Sequence, residues 1–257
     1  MATRPTIVFI PGMFHTPWVF DGLRNHVSRR GYDTEAPSLA SVGTTVTVAK
    51  EGLSGDAKRV RSLLTDLIDE GKEIVIVAHS YGGLVASNAV AGLSIQKRSA
   101  AGMKGGIILI LFLAGIAIPS GQSLIGLADM TSSLPWEDAE DGFIVPNNPH
   151  HRYYADIEPS LATKAINGLQ PTSSQVLTDK SGYEPWNDGF AVGYIFTEND
   201  NTIPIDLQKV MFSRFPEGSF STSLDSGHSP FLNMPDAVAE AIHEGIEYVV
   251  NLQHIDA

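Results

Sequence analysis

The fold of this chain is decided by the stretch IVIVAHSYGG, which occupies residues 74–83. A run of β-branched residues, typical of a buried strand, leads into a serine with small neighbours and then into a predicted helix. Ala78 and Gly82 stand two residues before and two residues after Ser80. A sharp strand-to-helix turn presses those two positions together, so both must be small. The stretch predicts a nucleophile elbow, although an ordinary strand–turn–helix has the same pattern and Ala78 replaces the usual glycine.

Strand and helix patterns alternate on both sides of this stretch, which is typical of a parallel sheet with crossover helices. We therefore expect an α/β fold in which a mostly parallel central sheet is flanked by helices. The predicted strands occupy residues 6–10, 32–36, 73–78, 107–113, 191–197 and 219–224. The predicted helices occupy residues 18–30, 55–70, 81–91 and 205–215, and a last helix has Pro235 in its first turn.

The helix predicted over residues 55–70 has one apolar face at helical spacing, and Gly71 stands where a left-handed C-terminal cap belongs. An amphipathic helix of this kind packs its apolar face on the core. The residues of that face are Ala57, Val60, Leu63, Leu64, Leu67 and Ile68.

A long segment, residues 119–190, lacks strand patterning and is rich in Pro, Ser, Asn and aromatic residues. One helix is predicted within it, near residues 159–166. Connections of this length in compact domains are usually lids or binding elements. We therefore predict a core made of residues 1–118 and 191–257, with residues 119–190 inserted as a lid.

Length, charge and cysteine content exclude several classes of protein. A chain of 257 residues with 43% hydrophobic residues can bury one large core, and the absence of cysteine excludes disulfides, thiolate nucleophiles and cysteine-ligated metals. A formal net charge of −12 disfavours nucleic acid and anionic membranes as partners. The longest apolar run, residues 105–118, is shorter than the roughly 20 residues of a membrane span, and the first apolar run is too short for a signal peptide. We expect a cytoplasmic protein.

Two possible companions of Ser80 follow later predicted strands. Asp200 lies in TENDNTIP at residues 197–204, and His228 lies in DSGHSP at residues 225–230. Taken alone, the aspartate fits a polar turn and the histidine fits a structural loop residue. Together they give the order serine, aspartate, histidine, each just beyond the carboxyl end of a strand. This combination predicts a catalytic triad.

A Gly turn after the first predicted strand is a fourth component of the predicted catalytic site, beside the three triad residues. The sequence IVFIPGMF at residues 7–14 ends its apolar run at Pro11 and Gly12. Backbone N–H groups of that turn could form one half of an oxyanion hole, with the N–H of Tyr81 as the other half.

Over almost its whole length the chain resembles the α/β-hydrolase family, and more narrowly the plant-type methyl-ester esterases and hydroxynitrile lyases. The resemblance implies the α/β-hydrolase fold, with the lid inserted after the sixth-strand equivalent. It also implies Ser80 as nucleophile, His228 as base, Asp200 as the residue that orients the base, and Met13 and Tyr81 as oxyanion donors. The motifs that carry it are PGMFHTPW at residues 11–18, AHSYGG at 78–83, TENDNTIP at 197–204 and GHSP at 227–230, with proline at position 11 where the family has histidine.

Glu198 is an alternative for the catalytic acid, because the local match to the family has one extra residue between Thr197 and the acid. The family's acid stands four residues before a proline. Asp200 and Pro204 keep that spacing, and we therefore prefer Asp200.

The other histidines are expected to have supporting roles. His79 adjoins the nucleophile but points away from the cleft at such a turn, which predicts a packed structural residue. His15 is expected to brace the oxyanion loop. His150 and His151 are adjacent and have no ligand cluster beside them, so they are expected to be solvated lid residues and not a metal site.

Aromatic residues near the lid and the cleft are candidates for substrate contact. Those in the lid could either line an acyl pocket or pack the cap. The residues expected to contact substrate are Phe14, Trp136, Tyr154 and Phe231.

The function expected from these residues is that of a serine carboxylesterase acting on a small, fairly apolar carboxylic ester or lactone through an acyl-enzyme, without cofactor or metal. One alternative is a carbon–carbon lyase, of hydroxynitrile, decarboxylating or retro-aldol type. Such lyases have a threonine beside the oxyanion loop and a lysine after the catalytic histidine, where this chain has Gly12 and Ser229. Another alternative is a ligand receptor on a hydrolase scaffold. A homodimer is possible.

Overall fold

A computed structural model describes residues 4–128 and 134–255, and a six-stranded sheet lies at the centre of the fold. The order of its strands is β2-β1-β3-β4-β8-β9, and all neighbouring strands are parallel. A second sheet, with the order β5-β6-β7, is antiparallel. In chain order the strands are β1 (Thr6–Ile10), β2 (Thr34–Glu35), β3 (Glu73–His79), β4 (Gly106–Leu113), β5 (Trp136–Asp138), β6 (Phe143–Pro146), β7 (Thr172–Ser173), β8 (Val192–Thr197) and β9 (Phe220–Leu224).

The helices connect these strands and cover both faces of the central sheet. In chain order the α-helices are α1 (Asp21–Arg29), α2 (Leu53–Asp69), α3 (Tyr81–Ala89), α4 (Ile95–Ala100), α5 (Leu124–Ala128), α6 (Pro149–Tyr153), α7 (Pro159–Asn167), α8 (Gln175–Thr178), α9 (Ile205–Phe212), α10 (Pro230–Asn233) and α11 (Pro235–Ile255). Short 3₁₀ helices occupy Pro17–Phe20, Val48–Lys50, Glu140–Gly142 and Pro185–Asn187.

Successive residues of the strands alternate between two apolar cores, because side chains along a strand point to opposite faces of the sheet. In β1, Ile7 and Phe9 pack with residues of α1 and α11. Val8 and Ile10 pack on the other face with residues of α2 and α3 and with the segment between β4 and β8. Burial on both faces explains why the central strands read as continuous apolar runs in the sequence.

The predicted α/β architecture is confirmed, with small differences at the ends of elements. The second predicted helix is α2, and Gly71 after it has φ +86°, as its predicted capping position requires. The strand predicted over residues 32–36 shrinks to two residues, and the helix predicted over residues 18–30 begins as a 3₁₀ turn. The helix predicted near residues 159–166 is α7.

The expectation that residues 119–190 lack strands is wrong, because β5, β6 and β7 all lie within them. These strands have two to four residues, and Glu137 and Asp138 of β5 are exposed. Segments this short and partly solvated do not reach the length at which alternation becomes visible in a sequence. The division into core and lid at residues 118/119 and 190/191 stays a prediction.

Within the described ranges, no helix is long and apolar enough to cross a membrane.

Candidate active site

The carboxyl edge of the central sheet brings the candidate residues together. Neighbouring strands β1 and β3 end side by side, with Ile10 paired to Ala78, and lead into the Gly12 turn and Ser80. Strands β8 and β9 are likewise adjacent, with Thr197 paired to Leu224, and Asp200 and His228 lie in the loops after them. The chain passes from β1 to the edge strand β2 and returns to β3 on the other side of β1. Open α/β sheets bind their ligands at such a switch point.

Ser80 has the strained backbone conformation expected of an elbow. Its φ is +53° and its ψ is −126°, and α3 begins at the next residue. A Cβ atom on Gly82 would lie 2.4 Å from the carbonyl oxygen of Ile10, and one on Gly12 would lie 3.0 Å from the Cβ of Ser80. Non-glycine residues in such sparsely populated backbone regions cost on the order of 1–3 kcal/mol, which the surrounding packing must offset.

The side chains of His228 and Asp200 form a buried pair, because His228 Nδ1 lies 2.8 Å from Asp200 Oδ2. Thr197 Oγ1 donates to the same oxygen at 2.9 Å. The other oxygen, Oδ1, accepts the backbone N–H groups of Thr202 at 2.7 Å and Ile203 at 2.8 Å. These four hydrogen bonds fix the carboxylate. Because a carboxylate only accepts hydrogen bonds, Nδ1 of His228 carries the proton, and Nε2 is left to act as a base.

Glu198, the alternative acid, has an exposed side chain. Its backbone N–H donates to the carbonyl oxygen of Leu224 at 3.0 Å. Within the described residues, the carboxylate that contacts His228 is that of Asp200.

Ser80 Oγ makes no hydrogen bond to any described residue. The loop that carries His228 is nevertheless tied to the elbow, because His79 Nε2–H donates to the carbonyl oxygen of His228 at 2.8 Å. The rings of His79 and His228 lie 4.6 Å apart between centroids. Catalytic hydrogen bonds of unliganded enzymes are often long and tighten when substrate binds. Proton transfer from Ser80 to His228 stays a prediction.

The loop after β1 is braced by His15, as the sequence predicts. Its Nδ1–H donates to the carbonyl oxygen of Met13 at 2.7 Å, and its Nε2 accepts the hydroxyl of Tyr154 at 2.8 Å. Among the described residues, neither the N–H of Met13 nor that of Tyr81 has an acceptor. The described part of the fold thus uses neither N–H group as a donor, and their role as an oxyanion hole stays a prediction.

Phe14 continues this loop in a left-handed conformation, with φ +68°. Its N–H donates to Thr172 Oγ1 at 2.9 Å, and its carbonyl oxygen accepts the N–H of Gln170 at 2.9 Å. Phe14, the residue after Met13, is thus held by two hydrogen bonds, one to Thr172 in β7 and one to Gln170 just before that strand.

A narrow cavity lies over Ser80 and Met13. Its volume is only about 40 Å³, and it is partly open to solvent. Apart from Thr202, the rest of its wall is apolar and consists of Ile116, Leu124, Leu127, Pro135, Trp136, Ile203 and Leu207. The cavity therefore suits a small apolar group, and a larger one would have to displace the residues around it.

Trp136 lines this cavity, whereas the other three residues expected to contact substrate are not in its wall. Phe14 and Tyr154 are fully buried in the core on the α2 side of the sheet. Phe231 is buried in the opposite core, with its ring 4.9 Å from those of Phe20 and His79. In the structure these three side chains pack in the cores, and their contact with substrate stays a prediction.

Two residues near the site, Thr172 and Asp56, were not anticipated from the sequence, whereas Tyr153 is one of the lid aromatics for which the sequence left pocket lining and cap packing open. Tyr153 packs against His228 with 5.7 Å between ring centroids. Thr172 fixes the backbone of Phe14. Asp56 is a fully buried carboxylate in α2. It stands one helical turn before Val60 on the apolar face of α2, and a charged residue at such a position is the signal that could have identified it.

Burial lowers the pKa values of two histidines in the site. The pKa of His15 falls to about 4, with the Met13 carbonyl opposing the shift, and the pKa of His79 falls well below its usual value. Both imidazoles are neutral in the folded protein at neutral pH, and the unfolded chain binds their protons below about pH 6.5. Since the unfolded state then binds more protons, stability falls as the pH decreases from about 6.5 towards 4.

We predict that His15→Gln makes stability less sensitive to acid. A group whose pKa is about 4 in the folded protein and about 6.5 in the unfolded chain lowers the free energy of unfolding by about 2 kcal/mol at pH 5. The wild-type protein should therefore lose about 2 kcal/mol more than the variant between about pH 7.5 and pH 5. Urea unfolding at both pH values measures this difference. Burial raises the pKa of Asp56, which makes stability rise as the pH falls. This contribution is the same in the wild type and the variant and cancels in the comparison. Equal losses would show that His15 does not titrate as inferred.

The described residues contain no group of three or more histidine, aspartate or glutamate side chains placed to hold a metal ion. His150 and His151 are exposed, in agreement with their predicted position on the solvated surface.

Known proteins share both the sequence pattern and the fold. Residues 7–241 match the model of the Alpha/beta hydrolase family. The chain is 26% identical over 246 residues to the α/β hydrolase nvfD of Aspergillus novofumigatus, covering 93% of this chain and 95% of that one. It is 23% identical over 255 residues to Methylesterase 7 of Arabidopsis thaliana, covering 92% and 94%. The crystal structure of the Arabidopsis methylesterase MES16 has the same fold, with a TM-score of 0.77 at 19% identity, covering 95% of this chain and 100% of that chain. The resemblance predicted from the sequence motifs is confirmed, and the chain belongs to the α/β-hydrolase family.

Proposed function

We propose that this protein is a carboxylester hydrolase that uses Ser80 as its nucleophile. The observation that carries the proposal is the position of Ser80, held by a strained backbone in the wall of an apolar cavity. The buried pair of His228 and Asp200 lies in loops at the same edge of the sheet. This combination provides a nucleophile, a base and an orienting group for acyl transfer.

The proposed mechanism has two halves. His228 Nε2 takes the proton of Ser80 as the serine oxygen attacks the ester carbonyl, and the imidazolium is stabilised by Asp200 through Nδ1–H. The same proton then passes to the leaving alcohol, which departs as the acyl-enzyme forms. In the second half His228 takes a proton from water, which attacks the acyl carbonyl. The bond to the serine oxygen then breaks, His228 returns the proton to Ser80, and the carboxylic acid leaves. The N–H groups of Met13 and Tyr81 stabilise the negative oxygen, at about 3 kcal/mol for a single donor.

The proposed substrate is a small, fairly apolar carboxylic ester or lactone. The wall of the cavity offers apolar side chains, with Thr202 as a polar exception next to Ser80 and Met13. Two relatives are named methylesterases, which supports a methyl ester as the first substrate to test. A small alcohol such as methanol also leaves a narrow cavity more readily than a large one.

A hydrolase fits the site better than a carbon–carbon lyase of the kind outlined above. A Cβ at position 12 would lie 3.0 Å from the Cβ and 3.4 Å from the Oγ of Ser80, so the glycine leaves the oxyanion turn open beside the nucleophile. Ser229 is fully buried, and its hydroxyl has no hydrogen-bond partner among the described residues. The positive charge that such lyases place after the histidine is missing here, and no other cation takes part in the contacts of His228 described above.

A panel of substrates tests the proposal. Purified wild-type protein and Ser80→Ala would be compared on p-nitrophenyl esters of increasing acyl length, on methyl esters and on lactones. We expect Ser80-dependent hydrolysis that favours short apolar acyl groups, because the cavity is narrow. Cleavage of a cyanohydrin that depends on Ser80, without ester hydrolysis, would replace the hydrolase by a lyase. Tight binding of esters without turnover would replace it by a receptor.

A further inference from the structure

Asp56 lies beneath the elbow and is bonded to the residue that follows the nucleophile. Its side chain accepts the hydroxyl of Tyr81 at 2.8 Å and the hydroxyl of Ser41 at 2.6 Å on one oxygen. Its other oxygen accepts the backbone N–H of Ser41 at 2.8 Å. Asp56 and Tyr81 are both fully buried. A buried carboxylate with this many donors is rigidly held, because each donor offsets part of the cost of removing the charge from water.

The same cluster is connected to β7 through Ser41. The carbonyl oxygen of Ser41 accepts the N–H of Ser173 at 2.8 Å. The next residue along, Val42, forms an antiparallel bridge with Thr172. Thr172 in turn accepts the N–H of Phe14 at 2.9 Å. The short strand β7 is thus linked to both candidate oxyanion donors. It reaches Tyr81 through Ser41 and Asp56, and it reaches Met13 through the bond of Thr172 to Phe14.

We propose that Asp56, Ser41 and Thr172 are positioning residues that hold the Tyr81 and Met13 N–H groups at the spacing required to bind one oxyanion. This inference rests on the proposed function. The hydroxyl of Tyr81 anchors the first residue of α3 to Asp56. The hydroxyl of Thr172 holds the N–H of Phe14, which restrains the peptide after Met13 and so limits movement of the Met13 backbone. Oxyanion donors are effective when they lie about 2.7–3.1 Å from the developing negative charge. Small displacements of either N–H group therefore weaken catalysis before they unfold the protein.

The contribution of each hydroxyl can be removed with little change in volume. Tyr81→Phe deletes one donor to Asp56, which keeps both bonds from Ser41. Thr172→Val deletes the acceptor of the Phe14 N–H and keeps the β-branched shape. Thr172→Ser keeps that acceptor and loses the methyl group, so it separates the hydrogen bond from packing. Tyr32→Phe is the matched control, because the hydroxyl of Tyr32 bonds to His243 on the opposite core of the sheet.

The experiment measures the rate at which a fluorophosphonate labels Ser80, together with kcat and KM on one ester and the thermal midpoint. The oxygen of the phosphonyl group occupies the oxyanion hole during labelling. We expect Tyr81→Phe and Thr172→Val each to lower the labelling rate and kcat by about tenfold, with KM changed by less than about threefold. Thr172→Ser should lower the thermal midpoint and retain most of the rate, and Tyr32→Phe should retain the rate fully.

The possible failures can be told apart. If wild-type Ser80 is neither labelled nor able to turn over esters, the proposed function fails and this inference fails with it. If wild-type Ser80 is labelled normally and both Tyr81→Phe and Thr172→Val react at the wild-type rate, the positioning role alone is overturned. Equal loss of rate in Thr172→Ser and Thr172→Val would also overturn it, because packing and not the hydrogen bond would then control the rate.

Discussion

Replacing Ser80 by alanine should lower kcat on a small ester by roughly four to six orders of magnitude and leave the fold intact. The large effect follows because nucleophile, base and orienting acid act as a unit, and loss of the nucleophile removes the covalent route altogether. Little stability should be lost, since Ser80 Oγ makes no hydrogen bond to a described residue and alanine fits wherever serine fits. Steady-state kinetics at matched concentrations, with circular dichroism as the check on folding, measures both quantities.

A second serine on the same helix provides the control for this variant. Ser87 is also buried in α3, but its hydroxyl donates to the carbonyl oxygen of Gly83. Ser87→Ala should keep activity within about threefold of wild type, because that hydroxyl lies on the helix and not in the cavity. Mass spectrometry after phosphonate treatment should find the adduct on Ser80 in wild type and in Ser87→Ala. A Ser80→Ala protein that retained a tenth of the wild-type activity would contradict the serine mechanism.

The core of the fold was predictable because its signals are local. The apolar runs of β1, β3 and β4 are buried on both faces, and their length and bounds can be read directly from residue type. The elbow was predictable for a related reason. The small residues Ala78 and Gly82 stand close to Ser80 in the sequence and are recognisable there, although the contact that requires Gly82 to be small is made to the distant carbonyl of Ile10.

The surroundings of the site were less predictable because they depend on contacts between distant parts of the chain. The bond between Phe14 and Thr172 joins residues 158 positions apart, and that between His15 and Tyr154 joins residues 139 positions apart. No periodicity marks such pairs. The same limit applies to Phe231. It follows His228 by three residues in the sequence, but only the packing of the core shows that its ring lies against His79 and outside the wall of the cavity.

Asp200→Asn should lower kcat by on the order of 10⁴, and the hydrogen bonds of Asp200 explain why. Oδ1 accepts two backbone N–H groups, from Thr202 and Ile203, so an asparagine would keep its carbonyl oxygen there. Its NH₂ group would then take the place of Oδ2, opposite His228 Nδ1. An NH₂ group donates, so Nδ1 would have to accept and the proton of the neutral imidazole would move to Nε2. In that tautomer His228 cannot take the proton of Ser80.

Glu198→Gln is the matched test on the same loop, and it should lower kcat by less than about tenfold. The side chain of Glu198 is exposed, and its backbone N–H bond to Leu224 does not depend on the side chain. Both variants would be assayed on one ester at one pH, after their thermal unfolding shows that each is folded. Because they remove one negative charge each from the same turn, a general electrostatic effect would reduce kcat similarly in both. A large loss confined to Asp200→Asn identifies the orienting carboxylate, and the reverse ranking would assign that role to Glu198 while leaving Ser80 and His228 in place.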